Sequence, residues 1–342
     1  MNRELLELYR PILQQYGLQA HRIDHVGKVK KVYTNVGVFA LKEIKHDRQI
    51  QTVQQAYSLY TKQSVPLYLS RQGTPFVFYQ GQYYYLMPWI TQGTNPERGE
   101  RIRSFFRDLA YLHRQSLKEV DVKEEEITHY YEARKSEWEK QRTFLQSYVE
   151  QCEHEWYMSP FQLQVCTYFH ETMQAYWFAE TQLEKWYEKI KETKKWRMVF
   201  IHGNASLSHY VHDEKGNRYF LSWERACWAS PLADLFTSLY HHVRTSHPIG
   251  DEWIDGVVEY EQQLSILDEE QAFFFSHLAQ PDSMYRFVFQ YATERQKERS
   301  ERDYVSRLHR RYWAMKNIEY IVMRLIQIKE AKQAEEQSEV SL

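Results

Sequence analysis

Glycine is scarce in this sequence, with 11 residues in a chain of 342. Few glycines mean few positive-φ turns and few places where backbone can close on a ligand, which disfavours a protein devoted to cradling phosphate with backbone amides. Cysteine is scarcer. Cys152, Cys166 and Cys227 are an odd set without a C-x-x-C pair, so neither a disulfide framework nor a thiolate zinc site is suggested. The expectation is buried thiols in a chain made in the reducing cytosol. No uncharged run reaches transmembrane length. The N-terminal "MNRELLELYR" is charged and amphipathic, without the apolar core and cleavage site of a signal peptide. An excess of either charge is also missing: 44 basic residues face 46 acidic ones, for a net charge of −2. That excludes a global basic footprint for nucleic acid.

Aromatic residues are what the chain has in plenty, 27 Tyr, 17 Phe and 10 Trp. They suit core filling and half-buried shells first, and interaction surfaces second. Apolar residues recur at helical spacing over 3–17, with Gly17 as a stop. From about 21 to 45 the pattern is that of strands. "KVKKVYTNVGVFALKEI" reads as two strands around a turn near Asn35–Gly37, with Val38, Ala40 and Lys42 on one face and Phe39, Leu41 and Glu43 on the other. A helix is expected over 47–63 and a second hairpin in "TPFVFYQGQYYYLMPWI". The polar connector Thr91–Gly99 is the expected lobe boundary. Beyond it the chain reads as mostly helical. "RIRSFFRDLAYLHRQS" carries Ile102, Phe105, Phe106, Leu109 and Leu112 on one face, and long helices are expected over 123–156 and 160–195. Helices dominate again from 231, and the polar end "KEAKQAEEQSEVSL" is expected to fray.

Certain pieces fall in a telling order: Lys42 on a strand in "FALKEIK", a helix, a hairpin, the helix with "LAYLHRQS", the unit "VFIHGNASLSHYVHDEKGNRYFLSWERA", and then "SPLADL". This series resembles the aminoglycoside phosphotransferase and choline kinase type of protein-kinase-like fold. In that family the loop reads H-G-D-x-x-x-x-N, the next strand ends in D-F or D-W followed by an acid, and a later P-x-x-D-L packs a helix. Within the superfamily the chain most resembles the spore-coat-associated kinase-like proteins of endospore-forming bacteria, the CotS and YutH group. The implied fold is α+β and bilobal: a small sheet-containing lobe over 1–90, a large helical lobe over 91–330 with the catalytic loop at 201–225, and a polar tail at 331–342.

The residues depart from the family pattern where its chemistry resides. Phosphoryl transfer needs a few charged groups held in place. The base position holds Asn204, whose amide has no usable basic lone pair. The first metal position holds His209, a poor ligand for a hard ion such as Mg²⁺. The second holds Ser222, a hydroxyl without charge. The helix over 47–63 has no Glu to pair with Lys42, Gln54 or Gln55 taking the expected place, and the phosphate-loop region "DHVGKVKKV" has only Gly27, with Lys28, Lys30 and Lys31 near it. Lys42 therefore reads as a vestigial nucleotide contact without partners, either a lysine snorkelling at a lobe edge or a retained anion contact. Glu224 would serve as a rescue ligand only if the strand continued past Ser222. His202 reads as a structural brace of the loop, with Asp234 as its helix-start partner.

Other readings are weaker. His202, His209, His212, His241 and His242 have no zinc spacing. Ser206, Ser208 and Ser222 lack a G-x-S-x-G elbow. In "YFHETMQAYWFAETQLEKWY", Phe169, Met173, Tyr176, Leu183 and Tyr187 form a core-facing stripe rather than a base-stacking platform, since no basic groove goes with them. The resemblance thus implies a catalytically inactive kinase-like component of the spore coat, using no cofactor or metal, touching other coat proteins, and binding neither nucleic acid nor membrane. The alternative is an ATP-dependent small-molecule phosphotransferase with non-standard catalytic residues.

Overall fold

The computed structural model describes residues 2–91, 93, 97–245, 250–294 and 299–340. In chain order the elements are α1 (Asn2–Gln15), β1 (Ala20–Val26), β2 (Val29–Thr34), β3 (Gly37–Ile44), α2 (Asp47–Leu59), β4 (Phe76–Tyr79), β5 (Gln82–Pro88), α3 (Arg98–Ser116), β6 (Lys118–Asp121), α4 (Glu124–Glu153), α5 (Pro160–Thr193), β7 (Lys195–Ile201), β8 (Tyr210–His212), β9 (Arg218–Phe220), β10 (Cys227–Ala229), α6 (Leu232–Thr245), α7 (Glu252–Gln263), α8 (Asp268–Ala279), α9 (Asp282–Thr293) and α10 (Glu301–Val340). The chain forms two compact units. The first comprises 1–117 and 198–238, the second 118–197 and 239–342.

An antiparallel sheet of order β1-β2-β3-β5-β4 organises the first unit. Alternation along β3 decides what lies on each face. Phe39 and Leu41 join Ile12, Leu13 and Tyr16 of α1 in one core, while Ala40 and Ile44 join Val65, Tyr85 and Met87 in the other. Lys42 sits on the second face, directly across from Tyr85 of β5. Three strands rather than two fill 20–44, because Val26 pairs with Val29 around a two-residue turn at Gly27–Lys28. The lone glycine there, at φ +60°, serves a tight hairpin and no extended loop. The helix after β3 stops at Leu59 and is followed by a single 3₁₀ turn, Thr61–Gln63. The apolar face of α3 is completely buried, from Ile102 to Leu112. Of the expected connector, residues 92 and 94–96 lie outside the described residues.

The second unit is built on the antiparallel hairpin of α4 and α5, with α8, α9 and α10 packed on it. Met173, Tyr176 and Leu183 are buried there, and Phe169 and Tyr187 pack against the same core, so the aromatic stripe is packing. Tyr168 stacks on Tyr312 and Phe161 on Tyr291, with centroids 3.7 and 3.8 Å apart. The end of the chain does not fray in the expected way: α10 runs on to Val340. No Gly or Pro interrupts it, and Ala, Glu, Gln and Lys are strong helix formers. Among the described residues, no helix is long and apolar enough to cross a membrane.

Candidate functional site

All the residues singled out by the motifs belong to the first unit. Strand β9 ends at Phe220, and Ser222 turns the chain sharply at φ 72°, ψ 57°, a left-handed conformation rare outside glycine. A single 3₁₀ turn, Trp223–Arg225, follows and packs against α2. Glu224 therefore does not lie on a continued strand. The turn instead directs its carboxylate to Lys42, and the two form an ion pair with side chains 11% and 15% exposed. Lys42 Nζ also donates to Ser222 Oγ (2.9 Å). Tyr85, opposite Lys42 in the sheet, donates its hydroxyl to Glu224 Oε1 (2.5 Å). Gln49 of α2 reaches the Glu224 carbonyl oxygen at 3.5 Å.

The expectation of a Lys42 without partners is thus corrected. The acid absent from α2 is supplied from beyond β9, and the anion that Lys42 holds is the chain's own. Gln54 and Gln55 are exposed and take no part. Burial disfavours the Glu224 charge, but Lys42 and the hydrogen bonds from Lys42 and Tyr85 outweigh it and hold the carboxyl below its ordinary range. Burial pushes Lys42 down from the usual lysine value, against the pull of Glu224. The same carboxylate, after burial, keeps the Tyr85 hydroxyl protonated far above its normal range.

The loop after β7 is braced from below by Asp234, in the first turn of α6 and fully buried. Its carboxylate accepts from the main-chain N–H of His202 (2.6 Å) and of Gly203 (2.9 Å), and lies 3.2 Å from His113 Nε2. Burial opposes its ionisation, yet His113 and the loop amides hold its pKa below the ordinary carboxylate value. Asp234 thus partners the loop backbone rather than the His202 ring. That ring donates from Nε2 to the Leu221 carbonyl (2.7 Å), tying the loop to the end of β9, and sits against Trp223 at 4.7 Å between centroids. Further along, Arg101 donates to the carbonyls of Leu207 and Tyr210, and Ser238 to that of Ala205. Sequence spacing pointed to Asp234; the parts of Arg101, Asp108 and Tyr85 carry no motif. Asp108 accepts from the Tyr210 hydroxyl at 2.6 Å and from Arg218, holding the β8–β9 hairpin on α3.

A family model, the phosphotransferase enzyme family, matches residues 38–273. The chain belongs to this family. Solved structures agree on the fold. An aminoglycoside phosphotransferase from Alicyclobacillus acidocaldarius is 12% identical with a TM-score of 0.66, covering 94% of this chain and 96% of that one. A spectinomycin phosphotransferase in complex with ADP and spectinomycin is 13% identical at a TM-score of 0.56, over 96% and 99%. A microcompartment-associated aminopropanol kinase is 12% identical at 0.55, over 93% and 99%. No curated protein sequence matches the chain. The architecture is the kinase-like one expected, α+β with a small antiparallel sheet in the N-terminal region and a large helical C-terminal region.

Within this family frame, the loop positions carry little that a magnesium–nucleotide complex needs. The Asn204 side chain, at the expected base position, makes no hydrogen bond among the described residues, while the main-chain carbonyl of Asn204 accepts from His209 Nδ1 (2.9 Å). That contact fixes a proton on Nδ1. Ser222 offers a hydroxyl that already accepts from the Lys42 ammonium, a cation set where a metal ligand is expected. Imidazole, hydroxyl and ammonium do not fit a hard dication that prefers oxygen anions. Among the described residues, no three His, Cys, Asp or Glu side chains converge on a metal position.

The His202 ring titrates far from its ordinary position. Burial pushes its pKa from 6.5 down to about 4. The unfolded chain takes up a proton below pH 6.5 that the folded chain refuses until about pH 4. Stability is therefore full above pH 6.5 and falls by roughly 3 kcal/mol on acidification to pH 4. Urea midpoints measured across this range should show His202→Gln losing about one proton's worth of slope relative to the parent. His277 in the second unit, also pushed down to about 4 by burial, contributes equally to both proteins. An unchanged slope would mean that His202 is protonated in the folded chain.

Proposed function

We propose that this protein is a catalytically inactive member of the phosphotransferase family, acting as a structural and interaction component. The observation that carries this reading is what stands at the expected metal position: Ser222 offers no charge, and its hydroxyl already accepts from the Lys42 ammonium, itself paired with Glu224. The amide at Asn204 removes the base, and His209 and Ser222 replace the metal ligands. The likeness to the spore-coat CotS and YutH group supplies the assignment, a kinase-like scaffold of the bacterial spore coat that meets other coat proteins through its aromatic-rich faces. Location in the coat and the identity of its neighbours belong to this proposal.

Melting with ATP and Mg²⁺ tests it. A ligand at about 100-fold its dissociation constant adds ~2.7 kcal/mol, so a functional nucleotide site shifts the transition visibly. No magnesium-dependent shift is expected, and Asn204→Asp with Ser222→Asp should restore little turnover. A clear shift, with turnover that Lys42→Ala abolishes, overturns the proposal. That outcome belongs to the second reading, an ATP-dependent small-molecule phosphotransferase with rearranged groups. The feature favouring it is Glu224, a carboxylate kept beside Lys42.

A further inference from the structure

The hairpin of α4 and α5 brings two of the three cysteines face to face. Its register is set by contacts along its length. Tyr131 stacks on Tyr187 with centroids 4.1 Å apart. About three helical turns further, the Tyr176 hydroxyl donates to Gln141 Oε1 (2.8 Å). Another three turns or so toward the connecting turn, the same register sets Cys152 against Cys166. Cys152 is buried in the core of the hairpin, and Cys166 packs against that core with part of its surface exposed. The two thiols are near enough for each to act on the titration of the other. Just beyond them the turn carries Trp156 and Tyr157, 90% and 85% exposed.

We propose that Cys152 and Cys166 are a disulfide-forming pair, a covalent clasp that closes under peroxide and fixes the base of the Trp156–Tyr157 turn. The partly exposed Cys166 thiolate attacks a peroxide oxygen and the O–O bond breaks. One water leaves, and the sulfur becomes a sulfenic acid. The Cys152 sulfur then attacks that sulfur, the S–O bond breaks, and a second water leaves. Two thiols have lost two electrons and hydrogen peroxide has gained them. Burial pushes Cys152 up to about 11 and raises Cys166 as well. Thiolate is therefore scarce near neutrality, and the clasp closes faster as pH rises.

The test uses the full chain, treated with hydrogen peroxide at mildly alkaline pH, denatured and alkylated. Alkylatable thiols should fall from three to one, with a peptide pair linked through Cys152 and Cys166 and a mass loss of two hydrogens. Cys227→Ser should leave the link intact, and Cys166→Ser should abolish it. Dithiothreitol should restore the thiols, and the oxidised chain should resist proteolysis at residues 154–159 better than the reduced one. Recovery of both residues alkylated overturns the proposal. So does Cys166 as sulfinic acid beside an alkylated Cys152, or a link that runs through Cys227. Because Cys166 is partly exposed, its serine variant keeps the core of the hairpin.

Discussion

Glu224→Gln should destabilise the first unit by about 3–5 kcal/mol, the cost of stranding one member of a buried ion pair. The substitution keeps size and shape, so packing changes little. What changes is charge: Lys42 stays among Tyr85, Ser222 and the sheet without its counter-ion. The Tyr85 hydroxyl also loses an ionised acceptor at 2.5 Å, and hydrogen bonds to charged groups are worth about 1.5–3 kcal/mol. Lys42→Met combined with Glu224→Leu should be far milder than either single change, because an apolar pair of similar volume leaves no buried charge. Chemical denaturation of the parent, Lys42→Met, Glu224→Leu and the double variant gives the coupling energy directly. A loss below about 1 kcal/mol for Glu224→Gln would place the pair with solvated surface bridges and leave Lys42 available to an outside anion.

Gly203→Ala should be at least as damaging, on the order of 4 kcal/mol, at the severe end for single substitutions. Gly203 has φ +72°, and a Cβ built there meets the Arg225 carbonyl oxygen at 2.1 Å. The obstacle is backbone, which cannot step aside as a side chain can. Moving it would pull the Trp223–Arg225 turn off α2 and disturb Glu224 with it. The contact of the Gly203 amide itself with Asp234 would be lost too. Circular dichroism melting should show a large drop in midpoint, or failure to accumulate folded protein. Gly216, at φ +81° with open space around a Cβ, is the control: Gly216→Ala carries the φ strain alone and should cost only about 1–3 kcal/mol. Equal losses at both positions would show that close approach to Arg225 does not matter. A larger loss at Gly203 than at Gly216 would mean that the glycine of the His-Gly dipeptide is required by packing against Arg225.

Much of the architecture was legible because periodicity is a local property. The α3 face from Ile102 to Leu112, the alternation along β3 and the stripe on α5 each follow from residues a few positions apart. The residues Asn204, His209 and Ser222 were equally legible, since they are identities read directly at motif positions. Where the reading missed, the cause was a turn or a distant contact. The two-residue turn at Gly27 hid a strand boundary inside one apolar-polar pattern. The left-handed Ser222 broke the assumption of a continuing β9, and with it the expected position of Glu224. The end of α10 reads as frayed from sequence because a polar stretch gives no packing signal, although its helix propensity is high throughout.

The amino-acid order by itself thus determined the kinase-like series of elements and the identities at the loop, because both depend on local pattern and residue type. Only the tertiary structure decided what Lys42 touches and what His202 and Asp234 hold. Residues 42, 85 and 224 are far apart in the chain, and no local rule relates them. They meet because cross-strand pairing puts Lys42 and Tyr85 side by side, and because one strained serine turns Glu224 back toward them.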